Sequence, residues 1–183
     1  MKTYLESVKK QFNYYKSLGE KTMVQLNEEQ LSRSLSLDGN SIAQLVKHLN
    51  GNMRSRWTNF LEEDGEKSWR NRDEEFSDPP QSRETVMKLW KNGWSCLFKA
   101  LNSIDENDLI KIIYIRNMGH TVIEAINRQM MHYAYHIGQM VIIGKSISDS
   151  EWKSLSIPKG GSKNYNVEKF NKKKSQRHFT DDL

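Results

Sequence analysis

An all-α fold, a four-helix bundle, is what this 183-residue sequence predicts, and three observations point there. Apolar residues recur at steps of three and four over four separate stretches of about 20 residues. Proline is scarce, with three in the chain, and glycine is limited to ten, so few positions interrupt a helix. Two stretches open on a Ser or Thr followed three residues later by Gln or Glu, the capping-box pattern of a helix start. At this length one domain with a proper core is expected, and two are not.

The first helix is expected from about Thr3 to Leu26, with Leu5, Val8, Phe12, Tyr15, Gly19 and Met23 on its inner face. Residues 27–40 are polar and end in Leu-Asp-Gly-Asn, which reads as a loop. Ser41-Ile-Ala-Gln44 caps the second helix, expected to run to about Glu63 and to bury Ile42, Leu45, Val46, Leu49, Met53, Trp57 and Phe60. Residues 64–81 form a charged connection of unusual length, and loops this long inside a compact domain are often functional. Its charges are expected to face solvent, with Trp69 and Phe76 packing it down as one wall of a pocket. The third helix starts near Ser82 and carries Val86, Trp90, Trp94, Leu97 and Leu101.

From Asp108 to His120 the helical period breaks, and β-branched residues followed by Asn-Met-Gly predict a short extended piece or hairpin. Thr121-Val-Ile-Glu124 caps the last long helix, expected to reach about Ile143. Its centre reads Gln129-Met-Met-His132-Tyr-Ala-Tyr-His136-Ile-Gly138-Gln139. Residues four apart share one helix face, so His132 and His136 project side by side, as two imidazoles must to hold one metal ion. Each is also compatible with a place in the core, hydrogen-bonded to a neighbour, and the spacing alone does not favour the metal. His48, at the edge of the second helix's apolar stripe, is either a buried polar residue or a third ligand reaching across from the facing helix. His120 reads as an exposed turn residue, and Cys96 as incidental. The lone cysteine excludes an intramolecular disulfide and a zinc–thiolate cluster, and fits a reducing cytoplasm.

Residues 1–152 carry equal numbers of basic and acidic side chains, so the net charge of +5 belongs entirely to residues 153–183. This divides the chain into a 1–152 four-helix-bundle domain, which holds the candidate metal-binding histidines, and a 153–183 basic C-terminal extension. In the extension, Asn171 to His178 reads as solvated and partly disordered, while Lys159 or Lys163 offers charge to an anionic substrate. A nucleic-acid-binding domain more typically carries its basic face on the folded body, so nucleic acid is not an expected partner of the body, and a tail-only association would be strongly salt-dependent. The charged first ten residues do not resemble a signal peptide, and no stretch approaches the ~18 apolar residues of a membrane span. A cytoplasmic location with no membrane partner is expected.

If the three histidines converge, neutral imidazoles suit a divalent ion, zinc or nickel first and iron as a further option, and three ligands leave a position open for water or substrate. The second-helix His48-Leu49 with Trp57 nine residues after the histidine, and the fourth-helix His-x-x-x-His-x-Gly-Gln, resemble the DinB/YfiT-like superfamily of metal-dependent bundle proteins. Ser154-Leu-Ser-Ile-Pro-Lys-Gly-Gly-Ser-Lys163 resembles the C-terminal segment of one bacterial branch of it, so the likeness spans most of the chain. The resemblance implies a four-helix bundle with His48, His132 and His136 as metal ligands, and a homodimer. Characterised relatives include S-transferases using low-molecular-weight thiols (bacillithiol, mycothiol) and maleylpyruvate isomerase. The implied function is a metal-dependent, thiol-dependent S-transferase acting on a small-molecule electrophile. The alternative is a non-catalytic metal-binding or stress-related bundle. Asn52, Gln129 and Gln139 are candidate outer partners of the ligands, with bracing of the helix an equal alternative for Gln139, and Gly138 is expected to allow close helix packing.

Overall fold

In the computed structural model, which describes residues 2–148 and 152–182, the protein is mostly helical with one small two-stranded sheet. Each predicted long helix is present: α1 (Lys2–Met23), α3 (Ile42–Trp57), α4 (Arg83–Asn102) and α5 (Val122–Ile147). The caps explain three of the starts. Ser41 accepts from the Gln44 backbone N–H at 3.2 Å while the Ser41 N–H donates to Gln44 Oε1 at 2.8 Å. Thr121 and Glu124 do the same for α5, and Ser82 alone caps α4. Such caps satisfy backbone donors that a helix start otherwise leaves open, typically worth ~1 kcal/mol each.

Two boundaries differ from the sequence reading. Residues 27–40 contain a short helix α2 (Glu28–Ser32), because Asn27 and Gln30 form a further capping box of a type that Asn can also head. The α3 helix ends at Trp57, six residues before Glu63, where Thr58 turns extended and Asn59 takes φ 46°. Phe60 is nonetheless buried, in the turn that follows.

The long helices pack α3 on α4 and α1 on α5, with α3 also meeting α5 and α1 meeting α4, around one apolar core. Phe12, Trp90, Trp94 and Tyr133 fill its centre, with ring centroids 5.4–6.3 Å apart in tilted and edge-on arrangements. Such pairs add ~0.5–1.5 kcal/mol each beyond the area they bury. Gly93 lets α4 approach α3, since a Cβ there would lie 3.0 Å from Asn50 Cα. Gly138, expected at a close approach, has none: a Cβ there meets nothing within 4 Å.

The expected hairpin is β1 (Ile112–Ile115) against β2 (Met118–Thr121), antiparallel, with Ile113 opposite His120 and Tyr114 opposite Gly119. Ile113 and Ile115 point inward and are buried, while Ile112 and Tyr114 are exposed. Both tip residues, Arg116 (φ 56°) and Asn117 (φ 60°), are left-handed, as a two-residue type I′ turn requires. Asp64 secures that tip, its carboxylate accepting from the Arg116 and Asn117 backbone N–H groups at 2.8 Å each. The Gly65 N–H donates to Tyr114 O at 2.8 Å, so the long connection and the hairpin are laced together at one end of the helices.

After α5, the Lys153 N–H donates to Gln25 Oε1 at 2.7 Å. A helix α6 (Ser162–Phe170) follows with no buried residue. Residues 171–177 are exposed, and the chain then returns to α1. There His178 hydrogen-bonds Ser7, Asp181 pairs with Lys10, and Phe179 packs edge-on against Tyr14. No helix among the described residues is long and apolar enough to cross a membrane.

Candidate functional site

His132 and His136 project from the middle of α5, and His48 meets them from α3. The His132 and His136 Nε2 atoms are 3.0 Å apart, and those of His48 and His132 are 3.3 Å apart. One ring nitrogen from each residue falls within 4.8 Å of the others, close enough to hold one metal ion. His48 and His136 are buried and His132 is half-buried. His120 lies apart, accepting from Arg128 Nη1 at 3.0 Å, and Cys96 sits beside Thr58.

The partners on the far side of the rings decide what the near side can do. His48 Nδ1 lies 2.8 Å from Glu75 Oε2, and His136 Nδ1 lies 2.8 Å from Gln139 Oε1. Both partners are acceptors, so each Nδ1 carries the proton and donates outward. In the neutral rings the Nε2 atoms of His48 and His136 are then bare lone pairs turned towards His132 Nε2. That single nitrogen can donate to one of them at most, so at least one of the two close contacts sets lone pair against lone pair. A cation at the common point removes the conflict. With bonds of about 2.0–2.1 Å, tetrahedral ligand nitrogens lie about 3.3–3.4 Å apart, near the spacing found. The donor set fits a divalent metal.

Burial, and then the neighbouring imidazoles, lowers the pKa of His132 to about 3 and that of His136 to about 4. Both are therefore neutral, the form a metal ligand needs, across the ordinary pH range.

Of the three expected outer partners, only Gln139 touches a ligand ring. Asn52 instead accepts from the Tyr133 hydroxyl at 3.1 Å, which accepts from Trp57 Nε1 at 3.0 Å. Gln129 is 3 % exposed, lines the cavity, and its Oε1 has no hydrogen-bond partner.

The connection supplies what the sequence reading did not find. Its charges do not all face solvent: Lys67 and Glu75 are buried, and the Arg70 side chain is 2 % exposed. A short 3₁₀ turn, Asp73–Glu75, packs on α3 and delivers Glu75 to His48. Arg70 clamps the carboxylate with two bonds, Nε to Oε1 at 2.8 Å and Nη2 to Oε2 at 2.9 Å. Burial alone would raise the Glu75 pKa, but the bonds from Arg70 and His48 outweigh it and hold the carboxyl below its usual range. Gly51, one turn beyond His48, makes room for it, since a Cβ there would run into the Glu75 carboxylate. Phe76 stacks on the His48 ring with centroids 4.6 Å apart, as the expected pocket wall. Trp69 stays exposed, under the Arg54 guanidinium. The available hint was a loop too long for a plain linker. Periodicity cannot say which of its six acidic side chains turns inward.

The three histidines sit at the base of a cavity of about 400 Å³, also lined by Asn52, Gln129, Phe76, Tyr135 and five arginines: Arg56, Arg70, Arg72, Arg116 and Arg128. Lys159 and Lys163, expected near a substrate, are exposed and do not line it. The arrangement offers a three-nitrogen metal site facing an accessible, cationic chamber large enough for a small molecule.

No curated protein and no solved structure matches the chain. A match to the family described as "Protein of unknown function (DUF1572)" covers residues 1–161, which include all three histidines and the loop that braces them, and the chain belongs to that family.

Proposed function

We propose that this protein is a metal-dependent enzyme, a thiol-dependent S-transferase acting on a small electrophile, with His48, His132 and His136 as the metal ligands. The observation that carries the reading is the convergence of three Nε2 atoms at the base of an open cavity, two of them held in the ligating tautomer by Glu75 and Gln139. A structural site usually closes on four protein ligands, whereas three leave a position for chemistry. The packing of α1, α3, α4 and α5 supports a four-helix bundle of the DinB/YfiT-like kind. In that reading residues 1–152 form the metal-binding domain, residues 153–183 are an extension, and the protein works as a cytoplasmic homodimer.

When bound, zinc, nickel or iron supplies positive charge that favours the deprotonated form of a water or thiol in the open position. The chain's own residues do the rest. Glu75 and Gln139 orient the imidazoles, and the Glu75 carboxylate fixes the tautomer of His48. Arg70 keeps Glu75 ionised and fixed. Phe76 and Tyr135 shield the cavity. A bacillithiol-type thiol is the favoured co-substrate: it loses its proton to solvent, its sulfur forms a C–S bond to the electrophile, and the electrophile's leaving group departs with the electron pair of the broken bond, while the arginines offset negative charge.

The test is metal content of untagged protein by plasma emission, beside His48→Ala and His136→Ala, followed by thiol conjugation to a panel of small electrophiles. Near-stoichiometric metal in the wild type, lost in both variants, with metal-dependent conjugation, is the expected result. Wild-type protein that takes up neither zinc nor nickel would overturn it.

A further inference from the structure

We propose that the cavity above the histidines contains an oxyanion subsite, in which Arg72 and Arg128 seat a carboxylate or phosphate group of the substrate. The proposal rests on reading the histidine pocket as a substrate site, and it names the chemistry of the substrate.

Five guanidinium groups line the cavity, and among the described residues two carboxylates, Glu66 and Glu75, form ion pairs with them. Glu66 Oε2 is shared by Arg56 at 3.0 Å, Arg116 at 3.1 Å and Arg70 at 3.4 Å. Glu75 is spoken for by Arg70 and His48. Arg72 and Arg128 have no carboxylate partner among the described residues, and each is positioned by an aromatic ring. Arg72 lies over Phe76, 5.3 Å from the ring centroid, and Arg128 donates to His120 Nε2 at 3.0 Å. Those contacts place the guanidinium groups without neutralising them. The cavity therefore holds uncompensated positive charge before any metal is added.

Two residues in the same lining also carry a buried polar atom without a hydrogen-bond partner. Arg56, 7 % exposed, has an Nε–H with no acceptor, and Gln129, 3 % exposed, has an Oε1 with no donor. A small molecule carrying an oxyanion can meet Arg72 and Arg128 at the cavity wall. The planar fork of arginine matches carboxylate and phosphate oxygens, whereas a neutral, apolar electrophile would leave Arg72 and Arg128 without a counter-charge.

The experiment is isothermal titration of the full chain with inorganic phosphate and, separately, with succinate, at about 150 mM sodium chloride so that loosely held surface ions are screened. Both the metal-loaded and the chelator-treated protein are titrated, and metal content is measured on every sample. The Arg72→Gln/Arg128→Gln double variant should bind the favoured anion about 10- to 100-fold more weakly, as expected for loss of charge-assisted hydrogen bonds, with metal content unchanged. Lys159→Gln and Lys163→Gln should bind it as the wild type does. The anion preferred, phosphate or succinate, identifies the substrate's charged group. Equal affinity in the double variant, or no binding of either anion by the wild type, would overturn the proposal. Anion binding that survives chelation and depends on Arg72 and Arg128, in a protein that never takes up metal, would sink the metal reading and leave the subsite standing.

Discussion

Helix α5 and the connection between α3 and α4 lie on opposite sides of the same three histidines, and they were written in different codes. In α5 the chemistry follows the helix period: His132 and His136 are four apart, and Gln139 is three beyond His136, so ligand and outer partner stack along one face. In the connection nothing is periodic. Glu74 and Glu75 are neighbours of the same type, yet Glu74 is exposed and bonds to Ser77 while Glu75 is buried between Arg70 and His48. A regular helix places side chains by counting; an irregular loop places them by whatever tertiary partner each one finds.

The largest test of that contrast is to change the two glutamates one at a time. Glu75→Gln keeps the shape but loses the charge that orients His48, and metal affinity should fall about 10- to 100-fold in a chelator competition. Glu74→Gln should leave the affinity where it was. Equal effects would mean that the loop acts only through its general negative charge.

A smaller effect separates the loop's two anchors. Asp64→Ala removes the acceptor for the Arg116 and Asn117 N–H groups and should cost about 1–2 kcal/mol in urea unfolding. Burial tends to raise the Asp64 pKa, and its three backbone donors outweigh that and lower it. A carboxyl with a depressed folded pKa stabilises the fold above its unfolded pKa. The wild-type advantage over Asp64→Ala should therefore be present at neutral pH and shrink as pH falls below about 4. An advantage that grew on acidification would show that the carboxylate is not the group that holds the turn.

The smallest expected effect lies on α5 itself. Gly138 is exposed within the helix, with open space where a Cβ would go, so Gly138→Ala should stabilise by about 0.5–1 kcal/mol without changing metal content. A loss of metal would give that glycine a role in seating His136 that its surroundings do not suggest.

Much of this molecule was legible before any tertiary structure. The stripes of α3 and α4, from Ile42 to Trp57 and from Val86 to Leu101, are buried as their spacing required, because an amphipathic helix has one way to hide its apolar face. The starts at Ser41, Ser82 and Thr121 were legible because a cap is a local bond between residues three apart. The hairpin between Ile112 and Thr121 was readable from its β-branched run. The short helix α2 was missed because its polar sequence hides no stripe, and the end of α3 at Trp57 because Phe60 continues the apolar spacing beyond it.

What the sequence determined by itself was therefore a set of helices, the face each turns inward, and the pairing of His132 with His136 on one of them. Only the tertiary structure decided that His48 joins the pair, that Glu75 and not Glu74 braces it, and that five arginines gather above it. Local order is set by bonds three and four residues apart. Those meetings join residues 27 and 84 apart, or more, and depend on how the helices cross and where the long loop comes to rest.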